Sequence, residues 1–289
     1  MTTVVEHRFQ CTDRVQIVAD FSPPKGTDPA LLDETGRLDA DFISVNYSPG
    51  KSARVNSAFA AAWIKQNAGK EVIFSLSTRD MNRIAAQGLL LGANMTGLEN
   101  VVVLRGDSFT KTELAITKPV DDYTPTGLIR AIADMNRGID YKGLKLQDPT
   151  SFCIGATIDL ARSMDRQVEL TRKKVETGAQ FFLLQALFSP ERLTEFLERY
   201  ADKYGEELSA LICCGVQVLV EDGVTFGALP DWVTTSLRKG RSGEDIAVET
   251  ASRYLDAGQR SIYLLAPIYR GGRRDYVACR RVIERVRKL

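Results

Sequence analysis

Eight short apolar runs in this 289-residue chain each end on polar side chains whose types define the chemistry available to it. These residues are Asp20, Asn46 with Tyr47, Ser77 with Thr78, Arg105 with Asp107, Thr157 with Asp159, Gln185, Gln217, and Tyr269 with Arg270. Carboxylates, carboxamides and guanidiniums in one ring would grip a polar, anionic heterocycle and move a proton by carboxylate. The only histidine, His7, precedes the first run, so proton transfer falls to a carboxylate, a lysine, a tyrosine or water.

Asp20 follows the apolar run VQIVA and precedes Phe21-Ser22-Pro23-Pro24, so it leaves a buried strand where two prolines stiffen the exit. Partial burial there would suit it to act as a general acid, whereas a solvated strand-end carboxylate or an N-cap is the plainer reading. Arg105-Gly106-Asp107 closes the fourth run, and the glycine lets the backbone approach a bulky ligand while Arg105 holds a phosphate or carboxylate. A surface ion pair explains the same three residues. Gln185, inside FFLLQALF, needs a partner if buried, and its carboxamide offers both the donor and the acceptor that a pterin edge requires. Lys173 and Lys174 form a basic pair of the kind usually found on a solvated helix face.

These residues need a scaffold that brings eight strand ends together. The runs 15–21, 42–46, 71–77, 101–105, 151–157, 180–185, 210–216 and 261–267 are β-rich and alternate with longer segments of helical periodicity, the pattern of βα units around a parallel sheet. Asp80 and Ser189 suit helix N-caps, and Gly92, Gly97 and Gly205 suit helix exits. The turn after the first run reads FSPPKGTDP instead of a glycine-rich phosphate turn, which favours a closed (β/α)8 TIM barrel over an open doubly wound sheet. One α/β domain over 1–289 is expected, interrupted by a polar loop at 107–123 that folds over the mouth and by a segment at 217–243 containing the helix-like PDWVTTSLRKG. In such a barrel the site lies at the carboxyl ends of the strands.

Lys plus Arg (38) balances Asp plus Glu (37), so no overall field holds the chain to nucleic acid or to an anionic membrane. No signal-peptide core opens the sequence and no run of some 18 apolar residues occurs, which reads as cytoplasmic. The five cysteines show no C-x-x-C spacing and no nearby histidine, so reduced, buried thiols and no metal site are expected.

In chain order, ADFSPPKGTDP, STRDMNRIAAQGLLLGA, VVVLRGD, RKKVETGAQFFLLQALFSPERLTEFL and GVQVL together resemble the methylenetetrahydrofolate reductase family over nearly the whole chain. The resemblance implies a barrel that binds FAD along its strand ends, takes hydride from NADH or NADPH, and converts 5,10-methylenetetrahydrofolate to 5-methyltetrahydrofolate, or runs the reverse oxidation, in methionine biosynthesis. It implies that Asp20, standing where the family has a glutamate, is the general acid. Tyr47, Arg105, Gly106, Asp107, Lys174 and Ala179 would then face the cofactor, with Asp107, Gln185 and Arg270 on the folate. Ser75, Thr157 and Gln167 depart from the family's histidine, tyrosine and aspartate. The aspartate at position 20 shortens the reach by one methylene, which leaves a second reading open: a folate-binding or methyl-transfer component working with a corrinoid protein or partner subunit. A homo-oligomer, or a companion electron-transfer or methyltransferase subunit, is compatible with either. A Schiff-base lyase is disfavoured, because no lysine falls at a strand end.

Overall fold

The computed structural model describes residues 2–289, and every predicted run is a strand within two residues of its expected bounds. The strands are β1 (Gln16–Phe21), β2 (Phe42–Val45), β3 (Glu71–Ser77), β4 (Asn100–Leu104), β5 (Cys153–Ile158), β6 (Phe181–Leu184), β7 (Leu211–Gln217) and β8 (Ser261–Leu265). All pair in parallel with their sequence neighbours, and β8 pairs with β1, which closes the barrel. Strands buried on both faces read as continuous apolar runs because helices cover the outside.

Pleating splits each strand between two cores. Val18, Phe42, Ile73, Val102, Cys153, Phe181, Leu183, Cys213, Tyr263 and Leu265 share the interior cluster. Their neighbours, such as Ile17, Ile43, Phe74, Val101 and Ile154, pack under the helices. Gly155 supplies the space for the Phe181 ring, because a Cβ there would lie 2.3 Å from it.

Helix α1 (Val4–Gln10) closes the amino-terminal end of the barrel. The Val4 amide donates to Asn100 Oδ1 at 2.9 Å, and Gln16 Nε2 donates to the Val4 carbonyl at 2.8 Å. His7 sits there edge-on to Phe42, at the opposite end from the strand-end ring. The outer layer contains α2 (Ser57–Trp63), α3 (Arg83–Met95), the short α4 (Lys111–Leu114), α5 (Pro125–Met135), α6 (Met164–Thr177), α7 (Pro190–Tyr204), α8 (Asp231–Arg238), α9 (Gly243–Asp256) and α10 (Tyr276–Val286).

Two expected helix ends shift. Asn82, not Asp80, caps α3 by accepting from the Ala85 amide, because Asp80 is taken by Arg79. Gly92 lies inside α3, and the exit falls at Gly97, which adopts φ +81°. The loop at 107–123 contains α4 and is largely exposed; Lys51 anchors it through Glu113 and the Ser108 carbonyl. The segment at 217–243 contains α8, over the predicted helix-like piece. Among the described residues no helix is long and apolar enough to cross a membrane.

Candidate active site

Asp20 lies on the inward side of β1, level with Ser44 of β2, and is buried. Its Oδ1 accepts from Asn46 Nδ2 at 2.5 Å and from the Tyr263 hydroxyl at 2.9 Å. Its Oδ2 accepts no hydrogen bond, although Arg274 Nη1 stands 3.2 Å away. Every polar group around this carboxylate is therefore a donor or a cation. Burial, and then the charge of Asp20, push the Tyr263 phenol well above its ordinary value, so Tyr263 remains a donor.

Arg274 reaches Asp20 because the loop after β8 turns back on itself, with an antiparallel bridge between Ile268 and Arg274. Arg54 approaches from the loop after β2, donating to the Pro23 and Pro49 carbonyls, and the neighbouring Arg274 charge helps to lower its pKa after the larger effect of burial. Sequence reasoning missed Arg274. Its signal was an arginine pair, Arg273-Arg274, just after the Arg270 that had been singled out.

Nine buried side-chain polar atoms among the described residues have no hydrogen-bond partner. Five of them belong to Asp20, Ser22, Ser44, Thr78 and Arg274, around the carboxyl ends of β1, β2, β3 and β8. Asp20 Oδ2 and Arg274 Nη1 face each other as an ion pair, so the three hydroxyls are the atoms a ligand could still satisfy, and buried polar groups left without partners are costly.

Beside this cluster the loops after β3 and β4 interlock. Arg79 is buried, clasps Asp80 through Nε at 2.6 Å, donates to the Asp107 carbonyl at 2.7 Å, and lies over the Phe109 ring. Tyr47 faces Asp80, and burial followed by that negative charge pushes its phenol up to about 12. Gly106, at φ +82°, passes so close to β3 that a Cβ would lie 2.5 Å from Ser77 Oγ. The glycine is thus required by packing against the protein itself. The flanking side chains are free: Arg105 and Asp107 are exposed, and neither makes a side-chain hydrogen bond or ion pair among the described residues.

On the far side, Gln185 ends β6 half-buried, with its backbone amide on the Ile158 carbonyl and its carboxamide unengaged. Lys174 extends from α6 to donate to the Thr157 carbonyl at 2.6 Å, and burial lowers its pKa to about 8. Gln217 is committed elsewhere. It donates to the Val224 carbonyl and accepts from the Phe226 amide, holding the loop after β7 so that Phe226 packs against the interior cluster.

Two of the expected residues lie away from the strand-end ring. Ala179 is buried just before β6, at the amino-terminal end of the barrel, because its helix has already run the length of the strand by that point. Arg270 points outward, four-fifths exposed, onto Asp222 of the loop after β7. The chain reverses at Gly271 and Gly272, and this brings Arg274 inward in its place. Two clefts, of about 410 and 310 Å³, lie in the outer helical layer, one at the end of α3 and one between α3 and α5.

Residues 5–216 match the family model described as Methylenetetrahydrofolate reductase. No curated protein matches the chain. Among solved structures, an uncharacterised protein from Clostridium thermocellum that binds two copies of 5-methyl-5,6,7,8-tetrahydrofolic acid matches with a TM-score of 0.67 at 11% identity, covering 99% of this chain and 98% of its own. A 2,3-dimethylmalate lyase of the PEP mutase/isocitrate lyase superfamily gives 0.52 at 14% identity over 92% of this chain and 78% of its own. An oxaloacetate acetylhydrolase gives 0.52 at 13%, over 90% and 77%. At these identities the likeness extends to the barrel fold.

Proposed function

Because this chain belongs to the methylenetetrahydrofolate reductase family, we propose that it binds a reduced folate at the carboxyl ends of its strands and exchanges hydride between the methylene and methyl forms. The observation that carries the reading is the cluster of buried polar groups around Asp20, where the Ser22, Ser44 and Thr78 hydroxyls lack hydrogen-bond partners beside the Asp20–Arg274 ion pair, a set that a polar ligand would satisfy. A barrel of the same fold that binds 5-methyltetrahydrofolate supports the substrate class.

In this reading Gln185 and Asp107 hold the pterin, since both present unengaged side chains at strand ends on either side of β5. Asp20 is the proton carrier. Its Oδ1 is fixed by Asn46 and Tyr263, so exchange with the amine nitrogen released when the one-carbon ring opens runs through Oδ2, after Arg274 has shifted from it. Arg274 is the positioning residue that keeps this oxygen aimed between turnovers.

The rim fits the phosphate half of a flavin dinucleotide. Arg105 is an exposed guanidinium with no partner among the described residues, and Lys174 is a second cation one strand away. The adenosine side fits less well, because Gln167 turns inward to accept from the Asp159 amide. When bound, a flavin would relay hydride between nicotinamide and folate. Arg105 and Lys174 would hold its phosphates, while the loop carrying Phe226 keeps water from the reacting centre.

The test is the visible spectrum of the purified protein, with FAD added, combined with oxidation of NADH or NADPH in the presence of methylenetetrahydrofolate. A yellow protein bleached by reduced nicotinamide and turning over the folate is expected. Folate binding without turnover would instead favour the second reading, a folate-binding or methyl-transfer component. That reading draws on the surround of Asp20, where three donors crowd an acid that must give up a proton. Asp20→Glu separates the two, since a large gain in turnover belongs only to the reductase.

A further inference from the structure

The cleft of about 410 Å³ at the end of α3 lies on the amino-terminal side of the barrel, away from the strand-end ring. Segments that lead into three successive strands line it: Gln66 before β3, Asn94, Met95, Thr96 and Glu99 before β4, and Ser151 before β5. Glu99 is the only charged residue among them. Its Oε2 is shut off from solvent and meets no hydrogen-bond donor, and no cation pairs with its carboxylate among the described residues. A carboxylate so placed has lost part of its hydration with nothing to offset the loss, which is costly until a donor arrives from outside.

The polar neighbours define the ligand that would supply it. Asn94 spends its N–H groups on the protein, donating to the Leu98 carbonyl at 3.3 Å and to Ser151 Oγ at 3.2 Å, so its Oδ1 is the free atom. Thr96 donates its hydroxyl to the Ala93 carbonyl at 2.8 Å and keeps only lone pairs. The cleft also sits at the carboxyl end of α3, where the helix dipole places partial negative charge. Free acceptors, a dipole and a net negative charge all favour a cation. A bare metal ion fits poorly, because no group of three His, Cys, Asp or Glu side chains is placed to hold one among the described residues. The volume instead falls within the range of about 300–1,000 Å³ usual for organic ligands. A single carboxylate calls for a single ammonium, and the Met95 side chain gives an alkyl body an apolar wall.

We propose that this cleft binds a small organic amine through its protonated nitrogen, which donates to Glu99, to Asn94 Oδ1 and to a hydroxyl oxygen of Thr96 or Ser151, with the alkyl part against Met95. The site is separate from the strand-end ring. Strand β4 runs between them, with Glu99 just before its start and Arg105 and Asp107 beyond its end.

Calorimetry of the full chain with butylammonium chloride tests this independently of the folate reading. Millimolar binding is expected, with no binding of n-butanol or butyrate, which share the alkyl chain without the positive charge, and no competition from magnesium chloride. Glu99→Gln keeps the shape and removes the charge, and should weaken binding about tenfold, the loss of one hydrogen bond to a charged group. Thr96→Lys supplies an ammonium of its own at the exposed end of α3, where a lysine suits the helix terminus, and should abolish binding without lowering the melting temperature. It decides the matter should Glu99→Gln fail to fold. No binding of butylammonium at tens of millimolar, equal binding of butanol or butyrate, displacement by magnesium, or binding that survives either substitution would each overturn the proposal.

Discussion

On the side of β8, β1 and β2, Asp20, Asn46, Tyr263 and Arg274 direct their polar atoms at one another. On the side of β4 and β6, Arg105, Asp107 and Gln185 carry side chains that make no hydrogen bond or ion pair among the described residues. In the first group Asp20 and Tyr263 are buried, Asn46 and Arg274 half-buried, and all four are held by one another; the second group is partly or wholly exposed and free. Dipoles and charges held in place before a ligand arrives are what a reacting centre needs, because they need not reorganise during the reaction. Free groups suit recognition, since their water is easily replaced by ligand. Under the proposed function, the contrast would put chemistry on one side of the mouth and grip on the other.

The sharpest way to break this contrast is to remove charge from the fixed side. Arg274→Met leaves the Asp20 carboxylate buried without its cation, and loss of one partner from a buried pair costs about 3–5 kcal/mol. Urea denaturation of Arg274→Met should show a loss of that order. The double variant Asp20→Asn/Arg274→Met removes both charges and should recover much of it. Additive losses would mean that the two groups are not coupled.

On the free side the prediction reverses. Gln185→Ala and Arg105→Ala should each change stability by no more than about 0.5 kcal/mol, as surface changes do. Binding of 5-methyltetrahydrofolate, followed by calorimetry, should nevertheless weaken about tenfold in Gln185→Ala, the ~1.4 kcal/mol expected of a lost hydrogen bond to the ring. If Gln185→Ala destabilised the fold by several kcal/mol, the carboxamide would be structural and the distinction between the two sides would disappear.

This division also explains which parts of the site were legible in the sequence. The barrel was legible because strands buried on both faces must be apolar, so the runs around Ile17, Phe74 and Val102 announce themselves and their polar ends fall at the mouth. Asp20 and Gln185 lie at strand ends, as that rule expects. Arg274 was not, because its place depends on how the loop after β8 reverses through Gly271 and Gly272, and loop paths leave no periodicity to read. Gln217 ends a strand as the rule requires, yet it serves the loop carrying Phe226, and only coordinates separate a polar group waiting for a ligand from one already satisfied. Ala179 was carried over by resemblance alone, and its position before β6 puts it at the wrong end of the barrel.

Lys174 lies between the two conditions, charged like the free groups but buried and bonded to the Thr157 carbonyl. Burial disfavours the ammonium and sets its pKa at about 8, against about 10.4 in an unfolded chain. Below pH 8 both states are protonated, so the folded protein bears the full cost of the buried charge. Between pH 8 and about 10.4 the unfolded chain binds more protons, and stability relative to Lys174→Met should rise with pH. Affinity for an anion should move the other way. If Lys174 holds a phosphate, FAD binding should weaken about threefold between pH 7 and 9, with a midpoint near 8, a size in keeping with one partly screened charge pair. Lys174→Arg, which stays charged throughout, should flatten that profile, whereas a wild-type profile with no inflection near pH 8 would place the phosphates on Arg105 alone and leave Lys174 as a strut between α6 and β5.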